Sequence, residues 1–383
     1  MGFITKKTAI VGIAETKERR TPYKTALQIH AEMAKEALED AGLTKDDVDG
    51  YFTCGIGWGD PLLLAEYLQI KPTYMDSTSI GGASFVSHVG HAAGAIASDM
   101  CDVALITYGS VAWSQGAAVG TGADVDVYDE AWDFEVPYGF TIVGCYALLA
   151  QRHAYLYGTT DAQRAEVSVA NRKWAALNPD AMFRFPITIE NVVASRIIAS
   201  PLHFLECCVI SDGGGAIVMT SSERARDLKH PPAYILGAGE AGSHLSMSQV
   251  PDFVSLPAKL SGEKAFKMAG VKPKDIDVVE IYDSFTITAL LSLEDLGFCK
   301  KGEVGDFVSG QRTAPGGDFP MNTDGGGLSS NHPGMRGIFL VIEATRQLRG
   351  GLGERQVPNV KLALAHGTGG NHSSGATVIL GRD

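Results

Sequence analysis

Basic charge is scarce in this sequence. Of 383 residues, 32 are Lys or Arg against 44 Asp or Glu, a formal net charge of −12 at pH 7. Nucleic acid and anionic membrane surfaces select basic proteins, so neither is expected as a partner. Long apolar runs are lacking too. No stretch approaches the roughly 20 residues that span a bilayer, and the Met1–Lys7 start has no apolar signal core. The six cysteines contain no C-x-x-C pair and no Cys/His spacing typical of zinc. They read as reduced thiols of a cytoplasmic protein, with no metal site expected. No Walker loop and no G-x-G-x-x-G at a helix start is present, so no motif here cradles a nucleotide phosphate.

What is abundant is glycine, 45 of 383 residues, against an average of roughly 7%. Much of it lies in short runs, Gly213-Gly214-Gly215, Gly325-Gly326-Gly327 and Gly367-Thr-Gly-Gly370. Runs of this kind let backbone approach backbone or ligand where a side chain would intervene. The apolar fraction of 45% fits a globular chain with a full core, and the length suggests two domains or a duplicated one.

Duplication is visible in the residues. Glu36 to Asp49 (EALEDAGLTKDDVD) matches Lys264 to Asp277 (KAFKMAGVKPKDID), each the end of an amphipathic helix, a glycine stop, a turn and the start of a strand. Upstream, Ala9 to Glu15 (AIVGIAE) resembles Ala233 to Glu240 (AYILGAGE). The order agrees across three elements, which places a repeat boundary near 222–232 and two halves, 1–225 and 226–383. Apolar strands such as Cys101–Tyr108 and Val360–Ala365 follow helical patterns, so each half is α/β with parallel strands and crossover helices. Residues 111–200 form an insertion, aromatic and acidic early (Tyr128, Trp132, Phe134, Tyr138) and helical through about 142–175, of the kind that builds a lid or an oligomer surface.

Four loops carry a resemblance to a known family. Asn322-Thr-Asp-Gly-Gly-Gly-Leu-Ser-Ser-Asn-His-Pro-Gly334 resembles the thiolase segment that ends in Gly-His-Pro, and His366-Gly-Thr-Gly-Gly370 resembles the Cys-x-Gly-Gly-Gly loop near the thiolase C-terminus. Tyr282-Asp-Ser-Phe285 stands where thiolases have Asn-Glu-Ala-Phe, and Asp212-Gly-Gly-Gly-Ala216 is similar to the segment that closes the first half. The chain thus resembles the thiolase superfamily along nearly its whole length, and most of all its lipid-transfer (sterol-carrier-protein-like) branch. The resemblance implies a duplicated thiolase fold, α/β, with two mixed β-sheets in a layered α/β/α/β/α arrangement. It also implies acyl-CoA substrates, coenzyme A as co-substrate with no covalently bound cofactor, a homodimer core, and a small OB-fold zinc-ribbon partner subunit.

The departures are as informative. The loop that carries the thiolase nucleophile reads Ser79-Ile-Gly-Gly-Ala-Ser-Phe85, which puts Ala83 at the cysteine position with Ser84 beside it. The second cysteine is replaced by His366 or Ala365. By resemblance His332 is the base, since imidazole titrates near neutrality. His366 and the glycines after it, Gly369 and Gly370, are expected to orient a thioester and offer N–H groups to its oxygen. Asn322, Gly327 and Ser84 are candidate substrate contacts. Ser84 is a poor nucleophile without an adjacent base. Tyr282 is either a core tyrosine or a proton-transfer residue, as in the thiolase-like aldolases of steroid side-chain breakdown, whose Tyr-Asp-x-Phe motif is similar. His88 and His91 read as packing or capping residues, Cys54, Cys145 and Cys299 as core or surface thiols, and Asp212 as a turn residue.

Three functions remain open at this level. The first is a thiolase-type acyltransferase (acetyl-CoA acyltransferase-like) that makes or cleaves the carbon–carbon bond of a β-ketoacyl-CoA, impaired by Ala83. The second is a cysteine-independent retro-aldolase on a β-hydroxyacyl-CoA. The third is a non-catalytic acyl-CoA-binding subunit of a complex.

Overall fold

The computed structural model describes residues 2–57, 59–118, 132–138, 141–255 and 257–382. Tyr128 and the side chain of Trp132 lie outside the described residues. In chain order the first half contains β1 (Thr8–Glu15), α1 (Ala26–Ala41), β2 (Gly50–Phe52), α2 (Asp60–Leu68), β3 (Tyr74–Asp76), α3 (Ser84–Ala97) and β4 (Val103–Ser110). Then come α4 (Trp132–Glu135), α5 (Ile142–Tyr157), α6 (Asp161–Leu177), α7 (Ile189–Val193), and the short strands β5 (Ile197–Ala199) and β6 (Leu202–His203). The half closes with β7 (Gly213–Ser221) and α8 (Ser222–Ala225). The second half runs β8 (Ala233–Gly242), α9 (Ala258–Ala269), β9 (Val278–Ile281), α10 (Thr286–Asp295), α11 (Val304–Val308), α12 (Gly337–Arg349), β10 (Leu362–Gly369) and β11 (Ser374–Gly381).

Nine strands form one sheet in the order β3-β2-β4-β7-β1-β8-β11-β10-β9. Read inward from each end, β2-β4-β7-β1 and β9-β10-β11-β8 have the same pattern of one parallel and two antiparallel pairings. The half-sheets are continuous because β1 and β8 pair antiparallel at Ala9↔Tyr234 and Ile10↔Ala233. The parallel strands expected from the sequence are therefore confined to β2, β3 and β4 and to β9 with β10. Only a tight turn separates β10 from β11, and a connection that short permits antiparallel pairing alone.

Helices α3 and α12 pack on each other and touch strands of both half-sheets, so they form the central layer. Accordingly, eleven residues of α12 are buried, Gly337 to Thr345 together with Gln347 and Leu348. On the outer faces α1 covers β1, β4 and β7, while α9 covers β8 and β11. The result is α/β/α/β/α. The inserted helix α6 packs on α10, α11 and the 326–330 loop, and so roofs the second half. No helix among the described residues is long and apolar enough to cross a membrane.

The repeat also sets the packing. Gly42 and Gly270 both end their helices in the left-handed conformation, at φ 75° and 73°. A Cβ on Gly12 of β1 would lie 2.1 Å from the Ala37 carbonyl oxygen of α1, and one on Gly237 of β8 would lie 2.2 Å from that of Ala265 in α9. In both halves a strand glycine lets the outer helix rest its backbone on the sheet. Gly12→Ala and Gly237→Ala are each expected to destabilise by about 1–3 kcal/mol, the usual cost of overpacking a rigid contact. Urea unfolding midpoints check this, and the two losses should be similar.

Candidate active site

Strand β9 delivers Tyr282 and Asp283 to the C-terminal edge of the sheet, where a strand end meets loops from both halves. The Tyr282 amide donates to the His366 carbonyl (2.9 Å), which fixes the direction of its ring. That ring lies over Gly82: a Cβ there would sit 2.3 Å from Tyr282 Cε2. Its phenol is 2.9 Å from His332 Nε2, and the Arg336 amide donates to the phenol oxygen (3.3 Å). The two rings stand nearly perpendicular, at 87°.

Both members of this pair are neutral near pH 7. Burial, reinforced by the Arg336 charge, lowers His332 to about 4. Burial likewise raises the Tyr282 phenol well above its ordinary value. With His332 in its Nδ1–H tautomer, the phenol donates and the imidazole accepts.

The loop that presents His332 is held by buried charge. Arg336, fully buried, places Nη2 2.7 Å from both Asp324 carboxylate oxygens and Nη1 2.6 Å from Asn331 Oδ1, with Nε 3.5 Å from Asp283. Asp283 accepts the Gly327 (2.7 Å) and Leu328 (3.1 Å) amides and the Asn171 side chain (2.6 Å). Burial pushes Asp283 up to about 6 against the pull of Arg336. A side chain at Gly326 (φ 67°) would strike Asp283 at 2.2 Å, so glycine is required there for space as well as conformation. Asn331 donates to Glu15 (2.8 Å), which also binds Arg19 (2.8 Å) and Arg346 (2.5 Å). The His332 amide donates to Ser211 Oγ (3.1 Å), and Tyr108 donates to the Pro333 carbonyl (2.5 Å) while accepting from Met335 (3.0 Å). Arg336, Tyr108 and Ser211 escaped the sequence reading: Tyr108 and Ser211 act on partners far away in the chain, and Arg336, just past the 322–334 loop, has nothing in its local sequence to mark it as buried.

Several expected residues stand elsewhere. Ala83 is buried at the start of α3, against Gly367, whose added Cβ would meet Ala83 Cα at 3.0 Å. His366 is on the other face of β10. Ala363 and Ala365 join the inner core with Ala83, whereas Leu364, of the same parity as His366, joins the outer one. His366 Nδ1 pairs with Thr377 (2.8 Å), itself 3.0 Å from Ser261 of α9, so its side chain does not reach Tyr282 or His332. Ser84 donates to the Gly81 carbonyl (2.6 Å) and accepts the Ile80 amide (2.9 Å), which commits its hydroxyl to closing its own loop. Asn322 accepts the Ile281 amide (2.8 Å) through its side-chain oxygen, and Gly327 bonds Asp283 and Val209, so both also hold the backbone of the site in place. Gly369 and Gly370 do border the nucleophile loop: a Cβ on Gly369 would lie 1.8 Å from the Ile80 oxygen. Asp212 staples Thr21 (2.7 Å) and Ser114 (2.9 Å). His88 packs among Phe52 and Phe85, while His91 links Asp76 (2.5 Å) of the first half to Glu240 (3.0 Å) of the second. Cys54, near Ser84, is pushed up to about 11, and Cys145 and Cys299 up to about 12, all by burial.

Comparison with known proteins agrees with this architecture. The family described as Thiolase C-terminal domain-like matches residues 239–382. The chain is 32% identical to an acetyl-CoA acetyltransferase of Methanothermobacter thermautotrophicus, over 98% of this chain and 100% of the relative. It is 37% identical to a 17-hydroxy-3-oxo-4-pregnene-20-carboxyl-CoA lyase of Mycobacterium tuberculosis, over 90% of this chain and 92% of the relative. The solved structure of an Ltp2-ChsH2(DUF35) aldolase superimposes with a TM-score of 0.90 at 34% identity, covering 99% of both chains.

The charge cluster makes a pH prediction. Burial opposes ionisation of Glu15, but Arg346 and Arg19 outweigh it and hold the carboxyl down to about 2. A depressed folded-state value contributes stability that is present above the unfolded value and lost as pH falls toward the folded one. Between pH 5 and 2 the wild type is expected to lose roughly 3 kcal/mol from this group. Glu15→Gln should be less stable at pH 7 and show a flatter acid limb in urea unfolding.

Proposed function

We propose that this chain, which belongs to the thiolase superfamily, is a cysteine-independent lyase that splits a β-hydroxyacyl-CoA by retro-aldol cleavage. The observation that carries the reading is the Tyr282–His332 pair, 2.9 Å apart, beside a loop whose nucleophile position is Ala83. The Tyr282 oxygen takes the proton of the β-hydroxyl while its own proton passes to His332. The Cα–Cβ electron pair moves into the thioester as an enolate, and Cβ leaves as the carbonyl of a ketone or aldehyde. The proton on His332 returns through Tyr282 to Cα and completes the shortened acyl-CoA. The turn at Gly369 and Gly370, against loop 80–83, is assigned to the enolate oxygen. No acyl-enzyme forms, so free CoA is not consumed.

A second reading, thiolase-type acyl transfer, is favoured by the retained Asn331-His332-Pro333 loop and by the acetyltransferase relative. The two separate in one assay, run with and without a small OB-fold zinc-ribbon subunit, proposed here as this chain's counterpart of the DUF35 part in the solved aldolase's two-part name. Expected is cleavage of β-hydroxyacyl-CoA without added CoA, with Tyr282→Phe lowering kcat by about 10²–10⁴-fold, the range for loss of acid–base assistance. Full activity of Tyr282→Phe sinks the lyase reading. A gain of CoA-dependent thiolysis and an acyl adduct in Ala83→Cys alone would establish acyl transfer.

The assembly we infer is a homodimer through β3. It is an edge strand with Met75 exposed, and Leu62, Leu63 and Tyr67 of the neighbouring α2 are exposed beside it. Sedimentation should give a dimer for the wild type and a monomer for Met75→Arg.

A further inference from the structure

A cavity of about 320 Å³ abuts the site. Trp113, Phe183, Phe204, Val209 and Leu328 give it an apolar wall, and Cys208, also in the lining, is near enough to Tyr282 to interact with its phenol electrostatically. The same residues lock it to the reaction centre: Leu328 donates to Asp283 (3.1 Å), and the Cys208 amide donates to the Ser284 carbonyl (2.8 Å). In this wall stands Arg172, 7% exposed. Its Nε donates to Ser329 Oγ (2.9 Å) and its Nη1 to the Phe185 carbonyl (3.0 Å). Among the described residues it has no carboxylate partner and its Nη2 has no acceptor. Burial alone lowers its pKa, with no neighbouring acid opposing. Arg20 stacks on Trp113 (4.6 Å) at the same cavity and is exposed.

We propose that this cavity holds the acyl portion of the substrate, and that Arg172 selects acyl groups that carry a carboxylate on a bulky apolar body. The proposal rests on the CoA-thioester reading above. An apolar acyl group that fills the cavity displaces the water that solvates the guanidinium and leaves a buried charge uncompensated, which is costly. A carboxylate supplies the missing charge, and the planar donor fork meets it along two N–H directions. Discrimination thus comes as much from rejecting neutral acyl groups as from holding the acid. The phosphates of CoA are the other anionic source, but they ride at the far end of the pantetheine arm. Arg172 instead adjoins Asn171, whose amide bonds Asp283 (2.6 Å), the residue next to Tyr282.

Binding, not turnover, tests this, so its outcome is independent of whether the chain cleaves its ligand. Kd values are measured on the full chain for 3-phenylglutaryl-CoA, its methyl ester and CoA itself. The acid should bind about 10- to 100-fold tighter than the ester, the worth of a charge-assisted contact. Arg172→Gln and Arg172→Met should abolish that preference from both sides, weakening the acid and, with the uncompensated charge gone, tightening the ester. Equal binding of acid and ester by the wild type overturns the proposal, and this comparison stands even where a variant fails to fold. So does a loss in Arg172→Gln that weakens acid, ester and CoA alike, which would assign the arginine to the CoA phosphates or to scaffolding.

Discussion

The site depends on one buried cation. Arg336 has no access to solvent, so its charge must be matched inside the protein: Asp283 does so from the end of β9 and Asp324 from the loop before α12, where the Asn331 side-chain oxygen accepts a further hydrogen bond. A buried ion pair adds little net stability, because desolvation offsets most of its attraction. What it does supply here is position. With the cation fixed, the 325–332 loop has one course: amides 327 and 328 point to Asp283, Asn331 turns toward Glu15 of the other half, and His332 emerges against Tyr282. Removal of any one charge leaves its partners buried and uncompensated, so the network is all-or-none.

The duplication explains why a site arises at this place. Helices α3 and α12 occupy equivalent positions in the two halves and meet in the central layer with their N-terminal ends adjacent: a Cβ on Gly337 would lie 2.4 Å from the Gly82 oxygen. The loop before α3 carries Ala83 and the loop before α12 carries His332. Equivalent strand ends, β4 with Tyr108 and β10 with Gly367, β9 with Tyr282, converge on that seam. The halves share a frame, and chemistry entered where their loops diverge.

What could be read from sequence follows the range of the forces involved. The helix–glycine–turn–strand repeats are local, and Gly42 and Gly270 stop their helices as their sequence context says they should. Tyr282 and His332 were legible through their motifs, though their contact was not. His366 was misplaced because β10 is covered on both faces. Its run of Leu, Ala, Leu, Ala has no polar alternation to mark which side is which, so only the register with β11 assigns the face. Asn322 looked like a ligand because a polar residue before a glycine run often is one; that its oxygen accepts the Ile281 amide only the fold shows. Arg336 gave no signal at all, since its partners lie 5, 12 and 53 residues away and only the fold brings them together.

The opposed pKa shifts of the pair constrain the chemistry it can perform. Burial makes a phenolate at Tyr282 costly, and burial with the Arg336 charge makes an imidazolium at His332 costly. A stepwise mechanism that left either charge standing alone would therefore meet a high barrier. A relay in which the phenol gains one proton as it gives up another never creates the phenolate, and the imidazolium it does form arises together with an enolate of opposite sign nearby. The pair is thus suited to a reaction whose negative charge appears on the substrate in the same step that the proton leaves. Bond cleavage to a thioester enolate has this property. Attack by a thiolate does not, because there the charge is on the protein before the substrate reacts, and a buried alanine occupies the position that would have to bear it.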